Sequence, residues 1–285
     1  MSVTEATAAR PGRPLTAFRR RFEGRRAGQV ACLLLALLLL VVVFGPLVAP
    51  YGASEIVGIP YSGPSGSHWL GTDYLGHDVL SRVLDGGRSV VAYALLAMAT
   101  AYGVGGVAGL VAGLRGGLVD ATLMRLMDVI LAFPPILLLL VLASGVGGST
   151  AILVAGVALV NVPGIARVVR AATAEVATRS YVEAAVARGA GTVPILRHDV
   201  LPNIAATVAA DAGTRFAISI LLAASMNFLG VGIEPPSPDW AVMMTENRSG
   251  LTLQPWALLA PALLLATLTV TVSVVADVLT REEER

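Results

Sequence analysis

The sequence predicts an all-α membrane protein with six transmembrane helices and both termini in the cytoplasm. Three observations carry that expectation. The chain is 55% hydrophobic and only 14% charged, with a mean hydropathy of +0.77, whereas soluble domains carry about 25% charged residues. Several apolar runs approach 20 residues, about the length that crosses 30 Å of hydrocarbon. The basic residues, all of them Arg, are spread unevenly between the two sides that such spans define.

The spans are expected at 28–49, 89–114, 126–145, 149–168, 204–230 and 256–278. Helices are required because lipid offers no partners for backbone polar groups, and a helix satisfies its own. A barrel is excluded by the lack of apolar/polar alternation in ten-residue segments. With the N-terminus inside, sixteen Arg face the cytoplasm against Arg82, Arg88 and Arg248 outside, and Arg215 lies within a span. The expected organisation is a cytoplasmic Arg-rich tail (1–27), the first transmembrane helix (28–49), an extracytoplasmic loop (50–88), a transmembrane core (89–278) and a cytoplasmic tail (279–285). The core contains a polar cytoplasmic loop at 169–203.

The first span follows seven Arg between residues 10 and 26. A basic stretch before an apolar one also describes a signal peptide, but this run exceeds the about 7–15 residues of a secretory apolar region, so it is read as an uncleaved span. The single cysteine, Cys32, lies inside it and can form no internal disulfide. In the second span Ala97, Ala101, Gly105, Gly109 and Gly113 recur every four residues. They form a small-residue ridge of the kind that lets helices approach closely in lipid. Pro134 and Pro135 in the third span, Pro163 in the fourth and Pro261 in the sixth remove backbone donors and kink helices.

Asp211 and Arg215, one helical turn apart in the fifth span, can pair. Intramembrane charge marks function by default; mutual neutralisation near the cytoplasmic interface is the alternative. Asp128 and Asp277 fall near the cytoplasmic boundary as solvated or capping groups.

Enzyme chemistry finds little support. The chain has no Lys and no Walker phosphate loop, so it cannot hydrolyse ATP alone. No nucleophile lies in an elbow pattern, and no span carries a His to serve one. No catalytic residue is expected. His68, Asp73, His77 and Asp78 are potential ligand types in the outer loop, but their Gly- and Asp-rich context reads as turns entering the second span, and no metal site is expected. The net charge of +1 gives no indication of nucleic acid, and no nucleic-acid partner is expected.

The stretch YVEAAVARGAGTVPILRHDVLPN (181–203) is polar amid apolar runs. A short helix over 180–189 would be followed by a turn at Gly189 and Gly191 and a second segment ending at Leu201-Pro202. Ala184, Ala185 and Gly189 give a small face, with Glu183 and Arg188 available to a polar partner. Docking into a groove of another protein and lying as an amphipathic connector on the membrane surface are both open to such a segment.

This stretch resembles the EAA loop of ABC-importer permeases: Glu183, Ala184, Ala185 and Gly189 match, as do Leu201 and Pro202, while Asp199 occupies the position of the usual Ile. HWLGTDYLGHDVLSRVLDGGR (68–88), RLMDVILAFPPILLLL (125–140) and SMNFLGVGIEPPSPDWAVMMTENR (225–248) resemble blocks of the dipeptide/oligopeptide/nickel permease group, with His77 where Arg is usual. The match resembles the second (C-type) permease subunit of such systems. It implies a type I ABC-importer permease fold in the bacterial inner membrane. It also implies a homologous second permease subunit in a heterodimer, cytoplasmic ATPase subunits that bind ATP and Mg, an extracytoplasmic substrate-binding protein, and no cofactor in this chain. The EAA loop would be the helix through which the ATPases drive the spans. Peptide transport, of dipeptides or oligopeptides, is the expected activity; nickel or another small solute is the alternative, and a secondary transporter independent of ATPases a further one. The sequence departs from the group at Ala223, where Glu is common, at Asn227, where Ser is usual, and at Arg215, which has no counterpart. Asp211, Arg215, Ala223 and Asn227 are therefore the candidate pathway residues.

Overall fold

The computed structural model describes residues 26–146 and 149–280. Among them the regular structure is helical: α1 (Arg26–Val48), α2 (Val79–Ala101), α3 (Val107–Arg115), α4 (Gly117–Leu131), α5 (Pro135–Val146), α6 (Thr150–Ala177), α7 (Ser180–Ala187), α8 (Leu201–Phe228), α9 (Trp240–Glu246) and α10 (Trp256–Thr280). Among the described residues, five helical rods are long and apolar enough to cross a membrane. The pair α4–α5, bent by 83°, supplies a sixth if it counts as one crossing.

The helices overrun the spans that hydropathy marks. The second rod begins at Val79, where Asp78 caps it by accepting from the Ser81 amide at 2.8 Å and the Ser81 hydroxyl at 2.7 Å. It passes through a π turn at Tyr102–Gly106 and continues in α3 to Arg115, 37 residues in all. The segment expected as one span at 126–145, kinked at Pro134 and Pro135, is two helices. Pro134 and Pro135 offer no amide hydrogens, and a residue before proline is pushed away from helical geometry, so the chain breaks after Leu131 and restarts at Pro135. Most of the expected 169–203 loop is helical too. α6 runs to Ala177, α7 follows, and Thr192–Pro194 leads through a π turn at Ile195–Val200 into α8, so only residues 178–179 and 188–191 lie outside helices.

The small-residue ridge packs as its spacing predicts. A Cβ on Gly105, Gly109 or Gly113 would come within 2.6 Å of the carbonyl oxygens of Val162, Ala166 and Arg170, three successive turns of α6. Ala97 and Ala101 on the same ridge are fully buried. Close contact of this kind binds helices in lipid, where burial alone provides no drive. Arg170 then bridges α6 to Asp120 of α4, and Arg167 reaches Asp128 at 2.6 Å.

At the end carrying residues 49–78, two connecting segments lock together. Buried Arg82 pairs with Asp73 and with Glu246 of α9 at 2.9 Å. Tyr74 donates its amide N–H to Asn247 Oδ1 at 3.0 Å and its hydroxyl to Glu246 at 3.2 Å. His77 contacts Asp73 at 3.0 Å and His68 contacts Asp78 at 3.2 Å, so all four ligand-type side chains are engaged within this network or at the α2 cap. Trp240, fully buried, donates its indole N–H to the Val83 carbonyl at 2.7 Å and anchors α9 against α2.

Candidate functional site

The EAA-like segment forms α7 and its exit turn. Val182 and Ala185 are buried against Val176, Ile195, Val200 and Ile204, which fixes the helix on the ends of α6 and α8. Glu183 and Ala184 face outward with Val186 and Ala187. The structure thus splits the motif: Glu183 and Ala184 are presented, while Ala185 anchors.

Gly189 follows from backbone geometry. Its φ is +82°, a left-handed conformation that an L side chain resists. Its amide donates to the Val186 carbonyl at 2.9 Å, and the Ala190 amide reaches back to the Ala185 carbonyl at 3.1 Å. These two bonds make a Schellman stop, with Ala190 packed against the same apolar cluster as Ala185. The helix therefore ends sharply, and the space around Gly189 is open.

Leu201 and Pro202 open α8 and are exposed. Proline is accommodated in a first helical turn because its missing amide hydrogen would be unpaired there in any case. Between the end of α6, α7 and the start of α8 lies a cavity of about 310 Å³ lined by Glu175, Arg179, Tyr181, Asn203 and Thr207 among others. Glu175 and Arg179 pair across its mouth at 2.6 Å.

The fifth-span residues separate into two groups along α8. Asp211 and Arg215 pair at 3.2 Å, and Tyr102, the first residue of the α2 π turn, donates its hydroxyl to Asp211 Oδ2 at 2.7 Å. The pair lies between helices: the Arg215 guanidinium rests on Gly164 of α6, where a Cβ would meet Nη1 at 2.3 Å. Ala223 is 3% exposed, in a cluster with Ala97, Leu139, Leu153 and Val157. Asn227, equally buried, accepts the Ile233 amide at 3.0 Å and donates to Asp239 Oδ1 at 3.1 Å. Within the single chain these two face the helix core, whereas Arg215 retains partial exposure.

Asp239 is a site that sequence reasoning missed. It caps α9 by accepting from the Ala241 and Val242 amides, accepts the Ser89 hydroxyl at 2.9 Å, and is fully buried. Burial pushes its carboxyl above the usual carboxylate range, against the lowering effect of those hydrogen bonds. An Asp directly before an apolar run was the available signal. Around Arg82 the carboxyls diverge. Burial raises both, but at Asp73 the guanidinium and the bonds from His77 and Arg82 prevail and hold it low, while Glu246 stays high. Burial and the Glu246 charge push the Tyr74 phenol up to about 12.

The geometry offers a small-residue helix for docking at one end, a neutral ion pair inside the bundle, and a tightly bonded cap at the other end. The chain is similar to known proteins. The family model described as "binding-protein-dependent transport system inner membrane component" matches residues 105–284. The glutathione transport system permease protein GsiD of Pectobacterium atrosepticum is 34% identical over 252 residues, covering 88% of this chain and 84% of that protein. GsiD of Escherichia coli O157:H7 is 34% identical over 252 residues, covering 88% and 83%. Among solved structures, the inward-facing MetNI methionine ABC transporter in its CY5 native crystal form aligns with a TM-score of 0.55 at 18% identity, over 70% of this chain and 95% of that one. Its SeMet-soaked form aligns with a TM-score of 0.57, also at 18% identity, over 73% and 97%.

Proposed function

We infer that this chain, which belongs to the family of binding-protein-dependent transport system inner membrane components and is therefore a permease subunit of an ABC importer, carries a peptide-like solute and takes its drive through α7. Its fold is that of type I ABC-importer permeases, and it resides in the inner membrane. The family implies ATPase and substrate-binding partners, and its members are permeases rather than enzymes. In this reading ATP and Mg are bound by the partner ATPases, and a homologous permease completes the pathway as a heterodimer.

The observation that carries the reading is the split of α7. Val182 and Ala185 tie it to α6 and α8, so force applied to the exposed Glu183–Ala184 face reaches two spanning helices at once. Small side chains let a partner's groove approach the backbone, and the Gly189 stop keeps the exit clear. Leu201 and Pro202 extend the same docking surface. The relatives named as glutathione permeases favour a peptide-like cargo, since glutathione is a tripeptide. Asp211 and Arg215 face the pathway in this reading, while Ala223 and Asn227 shape its wall from behind.

The test is a pull-down in mild detergent of tagged wild type beside Glu183→Arg combined with Gly189→Trp. The wild type should retain an ATPase and a second permease; the variant should lose the ATPase and keep the permease. A variant that keeps a stimulated ATPase would remove α7 from the coupling role.

A further inference from the structure

We propose that Arg215 is a specificity-determining residue of the pathway that reads a carboxylate on the cargo; the proposal rests on the permease reading above and adds the cargo chemistry. Arg215 lies 14 residues after Leu201 and 13 before Phe228. At 1.5 Å per residue, about 20 Å of helix separates it from either end of α8. Its guanidinium packs against Gly164 of α6, so this cation inside a spanning helix faces protein and the space between helices.

The guanidinium is held by one edge only. Nε donates to Asp211 at 3.2 Å and 3.3 Å. Asp211 is itself held by the Tyr102 hydroxyl. The plane of the group is laid flat by Gly164, since any side chain there would collide with Nη1, Nη2 and Cζ. Among the described residues no hydrogen bond reaches Nη1 or Nη2, and the side chain keeps 20% of its surface exposed. What remains is an oriented pair of N–H donors between helices, which matches the two oxygens of a carboxylate. Asp211 neutralises the resting cation, and when a carboxylate arrives it leaves the trio with net negative charge. That limits affinity, so an anionic group can be recognised and then released.

Two measurements on the whole importer test this. In membrane vesicles, phenylglyoxal, which forms adducts with accessible guanidinium groups, is applied and the modified arginines are mapped by mass spectrometry. Arg215 should be modified, and trialanine should slow the reaction while trialanine amide does not. An unmodified Arg215, or equal behaviour with both probes, overturns the proposal. In proteoliposomes given an equimolar mixture of free-acid and amidated di- to tetrapeptides, Arg215→Gln should lower uptake of the free acids about tenfold, the scale of one lost charged hydrogen-bond partner. Uptake of amides should fall much less than that of acids, and Arg215→Lys should restore part of the acid uptake. Equal loss of acids and amides overturns the proposal, and so does an unchanged uptake of acids. If the wild type imports no peptide while its ATP hydrolysis still responds to the binding protein, the peptide-like cargo fails separately. The protection experiment then decides the role of Arg215 alone.

Discussion

Arg88 of α2 donates its Nε–H to the carbonyl of Val42 at 3.3 Å and a terminal N–H to that of Val43. Pro46 lies four residues after Val42 in α1 and has no amide hydrogen to give it. The guanidinium thus replaces a helical hydrogen bond that the sequence of α1 removes, and it joins the first two spans in doing so. Arg88→Met should lower stability in detergent by about 1–3 kcal/mol, as for a hydrogen bond to a charged group. In a Pro46→Ala background, where Val42 regains a helical partner, the same substitution should do much less. Thermal midpoints of the four proteins give the coupling; additive effects would sink the idea.

The ridge of α2 and α3 predicts a contrast between two glycines on one rod. Gly109→Val sets methyl groups against the Ala166 carbonyl and should abolish monodisperse protein on size exclusion, whereas Gly103→Ala, with open space around it, should elute as wild type. Similar profiles for both would mean that α6 does not pack so closely.

Asp239 gives a pH dependence with a definite sign. Its folded-state pKa is raised, so its contribution to stability is present below the unfolded value of about 3.9 and is lost as pH rises through the folded value. Asp239→Asn keeps the cap and the bond to Ser89 without a charge to bury. Its thermal midpoint relative to wild type should therefore climb as pH increases from about 4 upward. Asp239→Ala loses the cap and should be weaker at every pH. A pH-independent difference between the Asp239→Asn variant and wild type would contradict the assignment.

Around Arg82, opposite ends of one ion cluster should respond unequally. Arg82→Leu strands two buried carboxyls and should destabilise by about 3–5 kcal/mol, the range for breaking a buried pair. Glu246→Gln removes a carboxyl that burial already holds high and should cost far less. Denaturation in detergent, followed by tryptophan fluorescence, would rank the two; the reverse order would show that Glu246 carries the cluster.

The spans were legible in the sequence because their apolar length answers directly to bilayer thickness, and the Ala97–Gly113 ridge because its period is that of a helix. Helix ends were not, since hydropathy records where lipid is tolerated and helices continue past it. Val79, Ala177 and Thr192 are such ends. The paired prolines announced a kink in the third span but not a separate α4. That helix restarts at Gly117 after Gly116, both with positive φ that no hydropathy window registers. Asp211 and Arg215 could be paired on paper because they share a helix. Tyr102 and Gly164 could not, since they reach that pair only when α2 and α6 pack beside α8. Ala223 and Asn227 stood out by departing from a family pattern, and their burial is a property of packing alone.

The helical run from Thr192 to Phe228 spans 37 residues without leaving helical geometry. At 1.5 Å per residue it is a rod of about 55 Å, and a tilt of about 5° about its foot would carry its far end by about 5 Å. One such lever joins the segment beside α7 to Asn227, whose bonds hold the turn that carries Asp239. If α7 takes up the ATPase stroke as proposed, a small rocking motion imposed there would arrive at the far end of the rod as a displacement the width of a side chain, with no flexible link between to absorb it.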